Sequence, residues 1–154
     1  MSDINPAEVC LLCTLDEADE DVAVFRDELW AAGIVPGYEV PGWYILRVRR
    51  HAERITGLDN DELSTFSYRA RDLVAAVTEV TGAEATYLLV FGENYPHFHA
   101  LITPRAAHVP AGRRAGDILK LRLEHSDPAG ARQLLPAVRA AYTRAAGRTG
   151  TVVV

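Results

Sequence analysis

Lysine is almost missing from this chain: Lys120 stands alone against fifteen arginines. With a bias that broad, no arginine is functional merely for not being lysine. Cysteine is equally scarce, with only Cys10 and Cys13, so a disulfide-built scaffold is excluded. No apolar run approaches the roughly 20 residues that cross a bilayer, so no membrane partner is expected. There is no internal repeat and no low-complexity stretch. No secretory leader is expected, because MSDINPAEV is acidic and polar where a positive and then apolar stretch would stand. A cytoplasmic protein is the expectation. The basic surface that nucleic-acid binding needs is absent too, since the formal net charge is −5. A local basic pocket for a phosphorylated small molecule remains compatible with that charge.

What is present is ordinary globular material, 49% hydrophobic and 24% charged over 154 residues, enough for one domain with a real core. Residues 1–20 read as an irregular acidic lead-in carrying the cysteines, 21–123 as the core, and 124–154 as a helical end. DVAVFR (21–26) and WYILRVR (43–49) read as strands, separated by a turn-rich stretch with Gly33, Pro36, Gly37, Pro41 and Gly42. Asp59 and Glu62 have capping-box spacing. Beyond them Leu63, Phe66, Ala70, Leu73, Val77 and Val80 form a helical stripe that Gly82 is placed to end. TYLLVF (86–91) and HFHALIT (97–103) read as a hairpin joined by GENYP. DILKLRL (117–123) alternates like a further strand. A final helix is expected from Asp127 and Pro128, kinked or split at Pro136. Strands in sequence order, one long helix and a terminal helix predict an α+β fold with a mainly antiparallel sheet.

The chemistry-bearing stretch is NYPHFHALITPR, Asn94–Arg105. On a strand, His97, His99 and Leu101 share one face, opposite Phe98, Ala100 and Ile102. The second set suits the core, leaving the histidines on the open face. A tight turn precedes them and Arg105, a phosphate-type ligand, follows. The C-x-x-C pair admits incidental thiols or half of a zinc site. A thioredoxin-like redox pair fits less well, because no strand precedes it.

FGENYPHFHALITPR resembles the defining strand of the histidine triad superfamily, His-φ-His-φ-His-φ-φ with φ apolar, often closed by Pro-Arg. GWYILRVRRHAERITGLDNDEL resembles that family's strand-then-helix segment, and VAVFRD its early strand ending in an acidic residue. The resemblance covers roughly residues 8 to 120. It implies a single HIT-like domain acting on a nucleotide or other phosphorylated small molecule, and a homodimer. His99 takes the middle histidine position, the nucleophile that forms a nucleotidyl-histidine intermediate. Asn94 stands where a phosphate-contacting serine is usual, and Asp27 where an acidic residue meets the ribose. Arg105 is the expected phosphate contact. The zinc-containing members, galactose-1-phosphate uridylyltransferase among them, imply a structural zinc on Cys10, Cys13, His51 and His97.

Leu101 is the departure. The third histidine should stand there, and leucine neither donates a proton nor holds a phosphate oxygen. Glu93 stands where glutamine is usual. The implied activity is a nucleotide hydrolase or nucleotidyltransferase whose leaving group departs easily or is served by another acid. A zinc-stabilised nucleotide-binding protein with little catalysis, and an enzyme recruited to tailoring chemistry on a non-nucleotide substrate, stay open beside it. His108 is a candidate substitute acid or a surface residue. Arg47, Arg49 and Arg50 form a solvated strand face or a phosphate-steering patch. Arg113 and Arg114 in AGRRAG form a phosphate-contacting loop or a plain polar one. Trp30 and Trp43 are expected in the core or a dimer contact.

Overall fold

The computed structural model describes residues 10–17, 20–148 and 150; the first nine residues of the expected cysteine-bearing segment lie outside them. Five strands form one antiparallel sheet, β1 (Ala23–Arg26), β2 (Trp30–Gly33), β3 (Tyr44–Val48), β4 (Ala85–Leu89) and β5 (His99–Arg105), in the order β1-β2-β3-β5-β4. The expected α+β architecture is present. A short helix, α1 (Leu11–Thr14), precedes the sheet. Two long helices, α2 (Asn60–Thr81) and α4 (Pro128–Arg148), pack on each other and on one sheet face. No helix among the described residues is long and apolar enough to cross a membrane.

Strand alternation divides the interior into two clusters. Tyr44, Leu46, Val48, Ala100 and Ile102 point toward the helices, where Leu73, Val77, Leu135 and Val138 meet them. Ile45 and Leu101 point the other way, into a second cluster with Cys10, Leu12, Val35 and Trp43. Trp30 is wholly buried and Trp43 nearly so, each in a core. The α2 start is the expected capping box: Asp59 accepts from the Glu62 N–H, and Glu62 returns a bond to the Asp59 N–H. Gly82 ends α2 at φ +65°, a conformation that disfavours a side chain.

Four expectations need correcting. Trp30–Gly33 is a strand where a turn-rich connection was expected, and its tryptophan and alanines make it the most buried piece of the sheet's outer half. The β4–β5 connection runs from 90 to 98, longer than GENYP, because Val90 and Phe91 at one end and His97 and Phe98 at the other lie outside the strands. Residues 117–123 are not a strand. A 3-10 helix (Ala115–Lys120) runs into a helical turn, α3 (Leu121–Glu124). Its buried residues, Ile118 and Leu121, are three apart, while Leu123, which alternation would bury, is 83% exposed. Helix α4 continues through Pro136 as one element. At its start, Asp127 Oδ1 accepts from the Gly130 N–H at 3.0 Å.

Candidate active site and metal centre

Residue 47 of β3 faces residue 99 of β5 across the ladder, and Ile45 faces Leu101, which pairs on its other side with Leu89 of β4. This register places His99 and Leu101 side by side on the face away from the helices. His97 lies just before β5 and is fully buried. Its Nε2 meets the Val48 carbonyl at 2.5 Å. A carbonyl only accepts, so Nε2 carries the proton and Nδ1 keeps its lone pair.

That lone pair points at two sulfurs. Nδ1 of His97 is 3.5 Å from Cys10 Sγ and 3.3 Å from Cys13 Sγ, and Nδ1 of His51 is 3.1 Å from Cys13 Sγ. All four ligand atoms lie within 4.8 Å of one another. Tetrahedral zinc, with bonds of about 2.3 Å to sulfur and about 2.0 Å to nitrogen, requires sulfur-to-nitrogen separations of about 3.5 Å. The chemistry of the donors fits as well. Burial, together with the adjacent Cys10 sulfur, pushes the Cys13 thiol up to about 11, so two neighbouring thiolates need a cation between them. Burial also lowers the pKa of His97, which favours the neutral, ligating imidazole. The donor set, closed on four sides, is that of zinc. The four ligands come from three parts of the fold: both cysteines from α1 and its cap, His51 from the loop after β3, and His97 from the approach to β5. Glu53 lies 3.8 Å from His51 Nε2, beyond hydrogen-bond reach.

Two residues further on, His99 Nδ1 donates to the His97 carbonyl at 2.7 Å. In the neutral ring this bond leaves the lone pair on Nε2. His99 borders two cavities. One, of about 260 Å³, is shared with Glu93, Asn94, Tyr95 and Leu101; the other, of about 380 Å³, with Glu53, Arg54, Glu93 and Phe98.

No family model and no curated protein matches the sequence. Solved structures do match. A hypothetical histidine triad nucleotide-binding protein from Sulfolobus tokodaii superposes with a TM-score of 0.71, at 20% identity, over 92% of this chain and 97% of its own. The chain has the histidine triad fold. A Zn-bound histidine triad family protein from Mycobacterium smegmatis matches at TM-score 0.66 and 16% identity, over 92% of this chain and 99% of its own. A uridylyltransferase matches at 0.63 and 19%, over 88% of this chain but 45% of its own. The expected resemblance thus holds at the level of fold.

Within the histidine triad fold the expected residues separate into two groups. Asn94 and His99 come together at one cavity, and Cys10, Cys13, His51 and His97 at the metal centre. Asp27 does not join them. It is buried in the β1–β2 turn, where Oδ1 accepts from the backbone N–H groups of Leu29 (2.9 Å) and Trp30 (2.8 Å). Its Oδ2 accepts from Arg69 on α2. Both of its oxygens tie the turn to the helix layer, and it lines neither cavity at His99. Asp27→Ala is accordingly expected to cost about 3 kcal/mol of stability, because it removes the acceptor of two backbone N–H groups and of one buried guanidinium bond. Chemical denaturation measures it. A variant of parental stability would sink this structural role.

Arg105 also stands apart. It lies six residues past His99, about 20 Å along the strand, and is buried with Nη2 3.3 Å from Glu84. His108 borders a different cavity, with Trp43, His125 and Asp127, and does not reach His99 as a substitute acid. Arg113 pairs with Glu124, and Arg114 donates to the Val109 and Ala107 carbonyls, so AGRRAG behaves as a structural loop. Arg50 is held by Glu62.

Asp16, Tyr38, Tyr95 and Leu119 went unnoticed in the sequence. Asp16 sits among Arg26, Arg47 and Arg49, with Arg47 Nη1 at 2.6 Å as a charge contact that lacks hydrogen-bond alignment. Burial would raise the Asp16 carboxyl, but Arg47 and the neighbouring guanidiniums outweigh it and hold the group below its ordinary value. The contact clamps the cysteine-bearing segment onto the sheet. Tyr95, between Asn94 and His97 in the motif itself, offered a signal. Tyr38 and Leu119, in unrelated segments, offered none.

Proposed function

We propose that this protein transfers or hydrolyses a nucleotidyl group through a covalent intermediate on His99, as a hydrolase or transferase of the histidine triad type. The observation that carries the reading is the bond from His99 Nδ1 to the His97 carbonyl, which fixes the tautomer and presents Nε2 as the nucleophile. Asn94 beside it supplies an amide to a phosphate oxygen. Zinc, which the Mycobacterium smegmatis neighbour binds, acts as a support: its ligand His97 also contributes the carbonyl that orients His99. The protein works as a cytoplasmic homodimer in this reading. The dimer is supported by β4 at the sheet edge and by exposed Leu88, Val90 and Phe91 around it.

Leu101 favours a second reading, a zinc-stabilised nucleotide binder with little turnover, since the third-histidine position carries no donor. Rapid-quench mass spectrometry separates the two. Incubation with nucleoside phosphoramidates, dinucleoside polyphosphates and nucleotide sugars is expected to add one nucleoside monophosphate to the peptide containing His99. Nucleotide binding without any adduct or turnover would replace the first reading by the second.

A further inference from the structure

The two cavities beside His99 share one carboxylate. Glu93, on the connection between β4 and β5, lines both of them, and no other acidic residue among the described residues does. Gly92 before it has φ +70°, a conformation that a side chain would strain, and it too lines both. A turn built on glycine thus carries this carboxylate to the rim of the site, where Glu93 is exposed and water reaches it.

Other groups on these walls are unsuited to accept a proton. His97 belongs to the metal centre through Nδ1, and its Nε2 proton is committed to the Val48 carbonyl. Glu53 lines only one of the cavities, and its side chain is 59% exposed beside His51. Arg54 is a cation and Asn94 an amide, while Tyr38 and Tyr95 carry phenols, poor acceptors beside a carboxylate. Arg54 has a further effect. Its guanidinium borders the same cavity as Glu93 and tempers repulsion between that carboxylate and a phosphoryl group. A covalent mechanism needs a base in one of its steps. The His99 lone pair attacks phosphorus unaided, but the water that resolves the intermediate is a weak nucleophile until it loses a proton.

We propose that Glu93 is the general base of the second step, which makes water the acceptor and the protein a hydrolase. This rests on the nucleotidyl-transfer reading and names how its intermediate is resolved. In the first step His99 Nε2 forms a bond to phosphorus with its lone pair, and the bond to the departing group breaks. That group keeps the electron pair and takes any proton it needs from solvent. In the second step Glu93 accepts a proton from a water whose oxygen forms a bond to phosphorus, and the phosphorus–Nε2 pair returns to the ring. Glu93 then passes the proton to solvent, so the sum is one water added across the bond that broke. Neither step asks Leu101 for a proton.

The p-nitrophenyl esters of the four common nucleoside monophosphates separate the steps, because nitrophenolate departs without a proton and is coloured. With zinc-loaded protein, Glu93→Gln is expected to release a burst of about one nitrophenolate per chain and then turn over on the order of 100-fold more slowly than the parent. Intact mass should show the nucleotidyl group retained on that variant. Azide, a nucleophile with no proton to lose, should raise the steady rate of Glu93→Gln about tenfold or more and leave the parent unchanged. Glu53→Gln should behave as the parent. Turnover by Glu93→Gln within about threefold of the parent, loss of its burst and steady rate together, indifference to azide, or an adduct held by Glu53→Gln instead would overturn the assignment. In each of those cases an adduct on His99 of the parent keeps the nucleotidyl-transfer reading. No nitrophenolate and no adduct from any ester, with parent or variant, would overturn that reading and the base with it.

Discussion

His99→Ala is expected to lower turnover on the order of 10⁴-fold while leaving zinc content and thermal stability near those of the parent. The side chain is half-buried and projects onto the open face, so its removal opens no hole in either core cluster. Its backbone stays in the ladder opposite Arg47. His99→Asn sharpens the test, because an amide can still donate to the His97 carbonyl but has no nucleophilic nitrogen. Equal inactivity of both variants identifies the ring nitrogen as the reacting atom. Retention of more than about a tenth of the activity by either would move the covalent step to another residue. Steady-state kinetics with phosphorus NMR detection of products provides the measurement.

His97→Ala is expected to have the opposite profile. One zinc per chain should fall to none, and stability should fall by about 4 kcal/mol or more, a drop in Tm on the order of 10 °C. The reason is the assembly of the centre. Its ligands come from α1, from the loop after β3 and from the approach to β5, so the ion closes long loops that nothing else of comparable strength closes. Losing it leaves Cys10, Cys13 and His51 facing one another without an ion. The contacts of Asp16 with Arg26, Arg47 and Arg49 are a further polar clamp on that segment and should not hold it alone. Atomic absorption and differential scanning calorimetry read the two quantities. A His97→Ala protein that keeps its zinc, or a His99→Ala protein that loses it, would remove the division of labour between the two histidines.

Much of this site can be read along the chain because its parts are local. Asp59, Glu62 and Gly82 mark the ends of α2 through bonds that span three or four residues. His99, Ala100, Leu101 and Ile102 alternate between the two sides of the sheet because a strand does so whatever its neighbours. The metal set was legible for a different reason: two cysteines and two histidines are rare enough here for resemblance to single them out. Residues 117–123 misled because Leu119, Leu121 and Leu123 in alternation satisfy a strand pattern, while Ile118 and Leu121 pack as a helical turn into the cluster with Trp43. Asp27 misled because an aspartate at the end of a strand is equally suited to a ligand and to a turn, and only Arg69, forty-two residues on, decides between them.

By itself the sequence determined the ends of α2 and the alternation of the histidine strand, because each depends on spacing, and resemblance added the identity of the four metal ligands. Tertiary structure alone decided that Val48 sets the tautomer of His97, and that Arg69 withdraws Asp27 from the site. It also decided that Tyr38, Tyr95, Leu89 and Leu119 converge around Leu101. Those facts rest on which strand lies beside which and in what register, and pairing between distant segments is set by the packing of the whole sheet against its helices.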